Sequence, residues 1–201
     1  MKQIILTFSL AVITTTTWSQ ARIPVNDPPP GPVTTTKPTN NPTTTSSNTG
    51  SSELTKYSDP QSRFTISYPG NWAFNDKPEN AVIKITSPKE NENDDFRQNV
   101  NLQIGDYNST VEDYVTTNMS EVKKLMKGYR EVSAMYFNRN SVRAYEIIYK
   151  GTYGDMAYEM QVKQLFVVTK GTAYILTYVS KENERDAFET TANKIFNTFK
   201  Y

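Results

Sequence analysis

The sequence predicts an α+β domain over residues 54 to 201, in which two helices accompany an antiparallel sheet. Two observations predict it. Several short segments alternate apolar and polar residues, as strands do, and two longer segments repeat apolar residues every three or four positions, as helices do. In chain order these segments give three strands, a helix, four strands and a second helix.

The first three predicted strands are RFTISY, NAVIKITS and RQNVNLQIG. The first of them runs into Pro69-Gly70-Asn71, which is followed by Trp72. Because Pro69 has no N–H group to continue a ladder, we expect it to end the strand, with Gly70 or Asn71 at a positive φ in the turn. Trp72 is expected to lie buried over the open end of the core, and stacking on a sugar or another ligand is the functional alternative.

The first helix is predicted over residues 109 to 128. Ser109 and Glu112 fit a capping box at its start, and Gly128 fits a C-terminal stop. The lysines near its C-terminal end are explained by the helix dipole; they are Lys123, Lys124 and Lys127. One helical stripe carries the apolar residues Val111, Tyr114, Val115, Met119, Val122, Leu125 and Met126.

Four more strands follow, with the sequences EVSAMYF, SVRAYEIIYK, AYEMQVKQLFVVT and TAYILTYVS. Turn residues separate them at positions 138–140, 151–154 and 170–171, which predicts an antiparallel meander. The last two strands are apolar at consecutive positions, so the sheet needs cover on both faces. A second amphipathic helix is predicted over residues 182 to 198, with an inner stripe of Phe188, Ala192, Ile195, Phe196 and Phe199.

Residues 1 to 19 have the features of a cleaved secretory signal. Lys2 precedes an apolar stretch over residues 4 to 13, which as a helix spans only about 15 Å of a bilayer core of about 30 Å. The small side chains of Thr17 and Ser19 predict cleavage before Gln20, and Ser19 with Ala21 offers a second position. The expected location is therefore periplasmic or extracellular; an uncleaved anchor is the alternative.

Residues 20 to 53 are predicted to be a disordered linker. Residues 22 to 52 alone contain seven of the 11 prolines and eight threonines. Such a stretch buries too little apolar surface to offset the entropy of ordering it. The linker could hold the domain away from a surface or carry sugars on its threonines, or it could be a solvated leader with no function of its own.

The composition excludes several classes of site. The chain has no Cys and no His, which removes disulfides, thiol nucleophiles, thiolate metal sites and every triad that uses histidine. Residues 53 to 201 carry 19 basic and 20 acidic side chains, a balance that provides no basic surface for nucleic acid. We therefore predict no catalytic residue, no metal ligand and no cofactor, although an enzyme built on carboxylates, Lys, Tyr or Ser stays possible.

Two features are candidate binding sites. The acidic stretch over residues 90 to 95 could bind calcium through oxygen atoms, but it lacks the glycine and the distant glutamate of an EF-hand loop. A solvated hairpin tip is the preferred interpretation. The 13 tyrosines all lie beyond residue 53 and could form an aromatic binding face, although packing between neighbouring strands is the simpler explanation.

The order of the elements and their motifs resembles the PsbP-like family, whose founding members are extrinsic subunits of photosystem II. The resemblance covers residues 54 to 201. It implies a three-layer α/β/α sandwich around an antiparallel sheet, and a role in binding or assembly rather than catalysis. Metal sites of that family include histidine, so none is carried over to this chain. The motifs are Tyr57-x-Asp59-Pro60, Phe64-Thr65-Ile66-x-Tyr68-Pro69-x-x-Trp72, the helix after NVNLQI, Gly171-x-x-Tyr174-x-Leu176-Thr177 and a closing Ile195-Phe196-x-x-Phe199.

These observations together predict an exported, non-catalytic module that binds a protein or a ligand in the cell envelope. Its expected partner is an envelope or extracellular protein, with a small ligand as a second possibility, no nucleic acid, and no membrane span after signal cleavage. Two alternatives stay open: a carrier or chaperone that shelters an apolar ligand between sheet and helix, and a carboxylate-based enzyme that acts on glycans. Converging buried carboxylates would favour the enzyme, and an apolar cavity would favour the carrier.

Overall fold

The computed structural model describes residues 53–182 and 186–201. The predicted signal peptide, residues 1 to 19, and the predicted linker up to residue 52 lie outside the described residues. The elements in chain order are β1 (Leu54–Ser58), β2 (Thr65–Pro69), β3 (Ala73–Asn75), β4 (Ile83–Thr86), β5 (Asn99–Asp106), α1 (Val111–Leu125), β6 (Met126–Arg139), β7 (Val142–Tyr153), β8 (Met160–Thr169), β9 (Thr172–Lys181) and α2 (Asp186–Thr198).

Seven of these strands form one antiparallel sheet in the order β3-β4-β5-β9-β8-β7-β6, and β1 pairs with β2 in a separate two-stranded sheet. The predicted α+β class is confirmed, and strands β6 to β9 form the predicted meander. Strands β1 and β3 were not among the predicted strands. Most side chains of β1 are exposed, so it has no buried face to produce alternation, and β3 is only three residues long.

The helices contact different faces of strand β8. Leu165 and Val167 belong to the main buried cluster, which includes Ile195 of α2. Phe166 lies between them in sequence, points to the other face, and contacts Tyr114 of α1 with ring centroids 6.2 Å apart. This arrangement explains why β8 is apolar at consecutive positions. The predicted inner stripe of α2 is confirmed, with Phe188 partly buried and Ala192, Ile195, Phe196 and Phe199 buried.

The turn after β2 differs in one respect from the prediction. The strand ends at Pro69, as expected, and the N–H group of Trp72 donates to the Pro69 carbonyl oxygen at 2.9 Å. Neither Gly70 nor Asn71 has a positive φ, so that prediction was wrong. A turn closed between its first and fourth residues without a positive φ fits type I, which imposes no need for glycine. Trp72 is buried, as predicted.

The connection between β6 and β7 is a two-residue turn formed by Asn140 and Ser141, whose φ angles are 50° and 63°. Arg139 pairs with Val142 across this turn. Two central residues with positive φ define a type I′ turn, which matches the twist of the flanking strands. The turn was predicted at residues 138 to 140, but β6 continues through Arg139.

Helix α1 begins with a different cap from the predicted one. The N-cap is Thr110, whose Oγ1 accepts a hydrogen bond from the Asp113 N–H group at 3.1 Å. The predicted capping box of Ser109 and Glu112 was wrong. Ser109 donates to the Asp113 carboxylate instead, and Glu112 forms an ion pair with Arg143.

The end of helix α1 also differs from the prediction. The helix ends at Leu125, and Met126 already begins β6, so Gly128 is a strand residue with φ of 66° rather than a helix stop. Lys123 and Lys124 lie in the last helical turn, where the dipole favours them. Lys127 lies in β6 and pairs with Asp155, so the helix dipole does not explain it.

Thr110→Ala is expected to lower the free energy of unfolding by about 1 kcal/mol, because the Asp113 N–H group loses its acceptor. Ser109→Ala is the matched control and should cost less than about 0.5 kcal/mol, since its hydrogen bond joins two exposed side chains. Urea unfolding followed by circular dichroism measures both. A larger loss at Ser109 than at Thr110 would show that the cap lies one residue earlier.

Candidate functional site

The acidic stretch over residues 90 to 95 lies in the loop between β4 and β5, and its carboxylates Glu90, Asp94 and Asp95 already have partners. Asp94 accepts hydrogen bonds from the N–H groups of Glu90 at 3.1 Å and Phe96 at 3.0 Å. Asp95 pairs with Lys181 at the end of β9, and this hydrogen bond lowers the pKa of the Asp95 carboxyl. Among the described residues, no group of three or more acidic side chains is placed to hold a metal ion.

We expect millimolar calcium, zinc or manganese to leave the melting temperature within about 1 °C of the chelator-treated value. A ligand present at a hundred times its Kd would stabilise the folded state by about 2.7 kcal/mol, which is a shift of several degrees. Scanning calorimetry measures this. A rise of about 3 °C or more with calcium, abolished in an Asp94→Asn, Asp95→Asn double variant, would show that the stretch is a cation site.

The carboxyl groups with shifted pKa values have structural roles. The pKa is lowered at Asp59, Asp95, Glu112 and Asp113, and in each case the largest cause is a side-chain hydrogen bond. A catalytic general acid needs the opposite shift, usually from burial. These four groups therefore do not support the carboxylate-based enzyme.

Tyrosines pair across neighbouring strands. Tyr136 of β6 lies opposite Tyr145 of β7, with ring centroids 4.5 Å apart, and Tyr145 contacts Phe166 of β8 at 6.1 Å. Such pairs contribute to sheet stability beyond the area that they bury. Packing therefore explains these residues, which agrees with the simpler of the two sequence-based interpretations. Tyr136, at the end of the row, is still 37% exposed.

A row of polar side chains crosses the same face of the sheet. The Tyr149 hydroxyl donates to Gln164 Oε1 at 3.1 Å, and Gln164 Nε2 donates to Thr177 Oγ1 at 3.2 Å. Burial raises the pKa of Tyr149 well above its usual value, so the hydroxyl stays neutral. On the next strand, Asn101 pairs in register with Thr177 and is itself buried. This polar face differs from the apolar lining that a carrier of an apolar ligand needs.

Strand β6 forms one edge of the seven-stranded sheet, since β7 is its neighbour in the described sheet. Residues 132 to 138, with the sequence VSAMYFN, carry no charged side chain; we call them the edge segment. Val132 is 52% exposed and Met135 59% exposed, and Tyr136 lies beside them. Exposed apolar side chains on an uncharged sheet edge favour pairing with a further strand.

The backbone of the edge segment has hydrogen-bonding groups that point away from the sheet. The type I′ turn makes Arg139 and Val142 a hydrogen-bonded pair. Because such pairs alternate along antiparallel strands, the N–H and C=O groups of Ala134, Tyr136 and Asn138 turn away from β7. The register between β6 and β7 is regular from residue 133 to 139. An incoming strand would therefore meet a regular row of donors and acceptors.

The first half of β6 is protected against such pairing. The register with β7 shifts twice there, between Lys127 and Arg130 and between Glu131 and Ser133. Arg130 pairs with Glu159, and Lys127 with Asp155. Bulges and charged side chains are the features by which proteins keep sheet edges from pairing. Val132 lies in the second shift, but neither a bulge nor a charge occurs from Ser133 to Asn138, which makes this part of β6 the open one.

The contacts behind the edge segment hold it in place. The Arg143 guanidinium lies over the Tyr136 ring, 4.8 Å from its centroid, and also pairs with Glu112 at the start of α1. Phe137 packs partly buried against the main cluster. A segment held on both faces loses little conformational entropy when a partner binds.

Strand β6 was predicted from the sequence, but no binding residue was predicted within it. Its apolar residues, read along the chain, have the same alternation as those of a core strand. Only the position of β6 at the end of the strand order exposes them. The one available signal was the lack of charge between Glu131 and Arg139, next to the charged start of the same strand.

The model of the family described as PsbP-like protein matches residues 32–201. The chain belongs to this family. The resemblance drawn from the sequence motifs is confirmed, and the match begins earlier than expected, at residue 32 rather than 54. No curated protein matches the chain. No helix in the described part of the PsbP-like chain has the length and apolarity to cross a membrane.

Solved structures share the fold at low sequence identity. Cyanobacterial PsbP from Synechocystis sp. PCC 6803 has a TM-score of 0.53 at 14% identity, with 76% of this chain and 95% of that chain covered. LpqN of Mycobacterium tuberculosis, described as involved in cell envelope biogenesis, has a TM-score of 0.55 at 16% identity, with 73% and 89% covered. A Pseudomonas aeruginosa protein of unknown function has a TM-score of 0.52 at 13% identity, with 72% and 94% covered. These likenesses show the fold.

Proposed function

We propose that this PsbP-like chain is an exported, non-catalytic binding or assembly module of the cell envelope, with the edge segment as its binding element. The observation that carries the proposal is the exposed, uncharged and regular half of β6 at the end of the sheet. Its occupant is an extended segment of an envelope or extracellular protein. The envelope role described for LpqN, which has a similar fold, agrees with this compartment.

The edge segment sets requirements for that occupant. Backbone groups of Ala134, Tyr136 and Asn138 bind the backbone of the incoming strand, as in other cases of strand addition. Side chains of the partner contact Met135 on one face of the sheet and Tyr136 on the other. The partner segment is therefore expected to be free of proline and charge and rich in β-branched or aromatic residues.

The proposal includes the organisation of the whole chain. Residues 1 to 19 act as a signal peptide cleaved before Gln20, residues 20 to 53 as a disordered linker, and residues 54 to 201 as the PsbP-like domain. The domain is a three-layer α/β/α sandwich, supported by the contacts of α1 and α2 with opposite faces of β8. Intact-mass analysis of the exported protein tests the cleavage, and a mass equal to all 201 residues would contradict it.

Site-specific photo-crosslinking in the native envelope tests the binding role. A photoreactive amino acid replaces Met135 in the full chain, and the matched control carries it at Lys77, an exposed residue that follows β3 near the other edge of the sheet. We expect discrete adducts from position 135 that are absent from position 77. Ala134→Pro, which removes an outward N–H group, should abolish them. No adduct at position 135, or the same adducts at both positions, would overturn the proposal.

A further inference from the structure

We propose that the edge segment pairs antiparallel with the edge segment of a second copy of this chain, forming a dimer whose sheet continues from one copy into the other. The inference rests on the proposed function, because it assigns the partner of the same binding element. A two-fold interface uses the same patch on both copies, so the patch must be complementary to itself. The edge segment meets this condition in its shape, its backbone and its charge.

Shape complementarity selects one register. Residues 133 to 137 read Ser-Ala-Met-Tyr-Phe, so two small side chains precede Met135 and two aromatic ones follow it. Antiparallel pairing centred on Met135 places Ser133 opposite Phe137 and Ala134 opposite Tyr136, in both directions. Each small side chain then lies beside a ring. A register centred on Ala134 would leave two alanines facing each other, and one centred on Tyr136 would bring two exposed rings together.

The backbone agrees with this register. Ala134 and Tyr136 both turn their N–H and C=O groups away from β7, so they can exchange hydrogen bonds with each other across the two copies. Met135 turns its backbone groups toward β7 and therefore forms the closer, non-hydrogen-bonded pair at the two-fold axis. The residues paired in this register, 133 to 137, follow the second bulge of β6, in which Val132 lies.

Charge complementarity supports a second copy as the occupant. The edge segment contains no charge that would repel its own copy. Glu131 pairs in register with Tyr149, and Arg143 lies on the same face of the sheet as Tyr149, because the two positions on β7 differ by an even number. In the register centred on Met135, Glu131 comes level with the hairpin end of the other copy. Arg143 of the other copy then lies two strands away from Glu131, so their backbones are roughly 10 Å apart. The Glu131 and Arg143 side chains are long enough to meet across this distance.

Cysteine cross-linking tests the register directly, because the chain contains no Cys of its own. In the Met135→Cys variant, the two thiols meet at the two-fold axis, where Cα atoms about 4.5 to 5.5 Å apart suit a disulfide. Val132→Cys is the matched control. It is similarly exposed, but the two copies of residue 132 lie about six positions apart in the proposed register, roughly 20 Å.

Both cysteine variants of the purified full chain are oxidised, and the yield of covalent dimer is compared on non-reducing gels. In a second measurement, sedimentation gives the dimer fraction of the unmodified chain from about 10 to 500 µM. We expect a covalent dimer from Met135→Cys at about tenfold or more the yield from Val132→Cys, and a dimer fraction that rises with concentration. Adding Ala134→Pro to Met135→Cys should abolish the cross-link. Circular dichroism is used to check that the Ala134→Pro variant folds. If it does not fold, Ala134→Lys, which puts a charge beside Tyr136, is used in its place.

The proposal is overturned if the unmodified chain stays monomeric over this range, or if Met135→Cys cross-links no better than Val132→Cys. The two proposals fail in different experiments. A monomeric chain that still gives adducts with another protein from position 135 in the envelope would overturn the dimer and leave the binding role. A dimer in solution with no adduct of any kind in the envelope would overturn the binding role and leave the dimer.

Discussion

Trp72→Ala is expected to lower the free energy of unfolding by about 3 to 5 kcal/mol, because it leaves a large cavity in the core. The side chain is 4% exposed, belongs to the main buried cluster and meets the ring of Phe188 edge-on, with centroids 5.7 Å apart. It thus joins the turn after β2 to helix α2. Urea unfolding followed by circular dichroism is the appropriate measurement, since the substitution removes the only tryptophan beyond residue 53.

Trp72→Phe serves as the control, and it should cost roughly 1 to 2 kcal/mol because an aromatic ring still fills part of the space. A loss below about 1 kcal/mol for Trp72→Ala would contradict the core role. Stacking on a ligand would then again be the better explanation of this residue. In the folded protein, such stacking would first require the side chain to leave the cluster.

Asp59→Ala is expected to cost roughly 2 to 4 kcal/mol, because the buried carboxylate holds the loop between β1 and β2. Asp59 is 5% exposed. It accepts hydrogen bonds from the N–H groups of Gln61 at 3.1 Å and Arg63 at 3.2 Å, and two more from the Arg63 guanidinium at 2.9 and 2.8 Å. Asp59→Asn, which keeps an acceptor oxygen but loses the charge, should cost less. No measurable loss in Asp59→Asn would show that the charge contributes nothing, and a loss equal to that of Asp59→Ala would assign the whole effect to the charge.

The same residue should make stability depend on pH. The hydrogen bond from Arg63 lowers the pKa of Asp59 in the folded protein. A carboxyl group whose pKa is lower when folded stabilises the protein above its unfolded pKa of about 4, and this contribution is lost as pH falls through the folded value. The difference in unfolding free energy between the unmodified chain and Asp59→Asn should therefore be steady above about pH 5 and shrink below about pH 4. A difference that stays constant down to about pH 2 would contradict this assignment.

Much of the fold could be predicted because its elements have strong local patterns. The meander from β6 to β9 was predicted from apolar periodicity and turn residues, and the structure confirms it. The stripe of α1 is confirmed as far as Val122, but Leu125 is 52% exposed and Met126 belongs to β6. The errors lie where a local signal was weak or had two interpretations. Ser109 and Thr110 are both good N-caps, and the choice between them depends on where the helix axis starts.

The candidate binding site could not be predicted in the same way. Periodicity shows which residues of a strand share a face, but not which strand lies beside another. β5 pairs with β9 across more than 60 residues of chain, and this pairing is what leaves β6 at the end of the sheet. Met135 and Tyr136 look like core residues in the sequence and are exposed for that reason alone.

The sequence by itself determined the α+β class, the PsbP-like resemblance, and the lack of Cys and His that excludes thiol and histidine chemistry. These follow from composition and from local periodicity, which depend on residues near each other in the chain. Only the tertiary structure decided the strand order, the exposed edge segment, and the pairing of Asp95 with Lys181. Those depend on contacts between residues distant in sequence, whose energies no local pattern records.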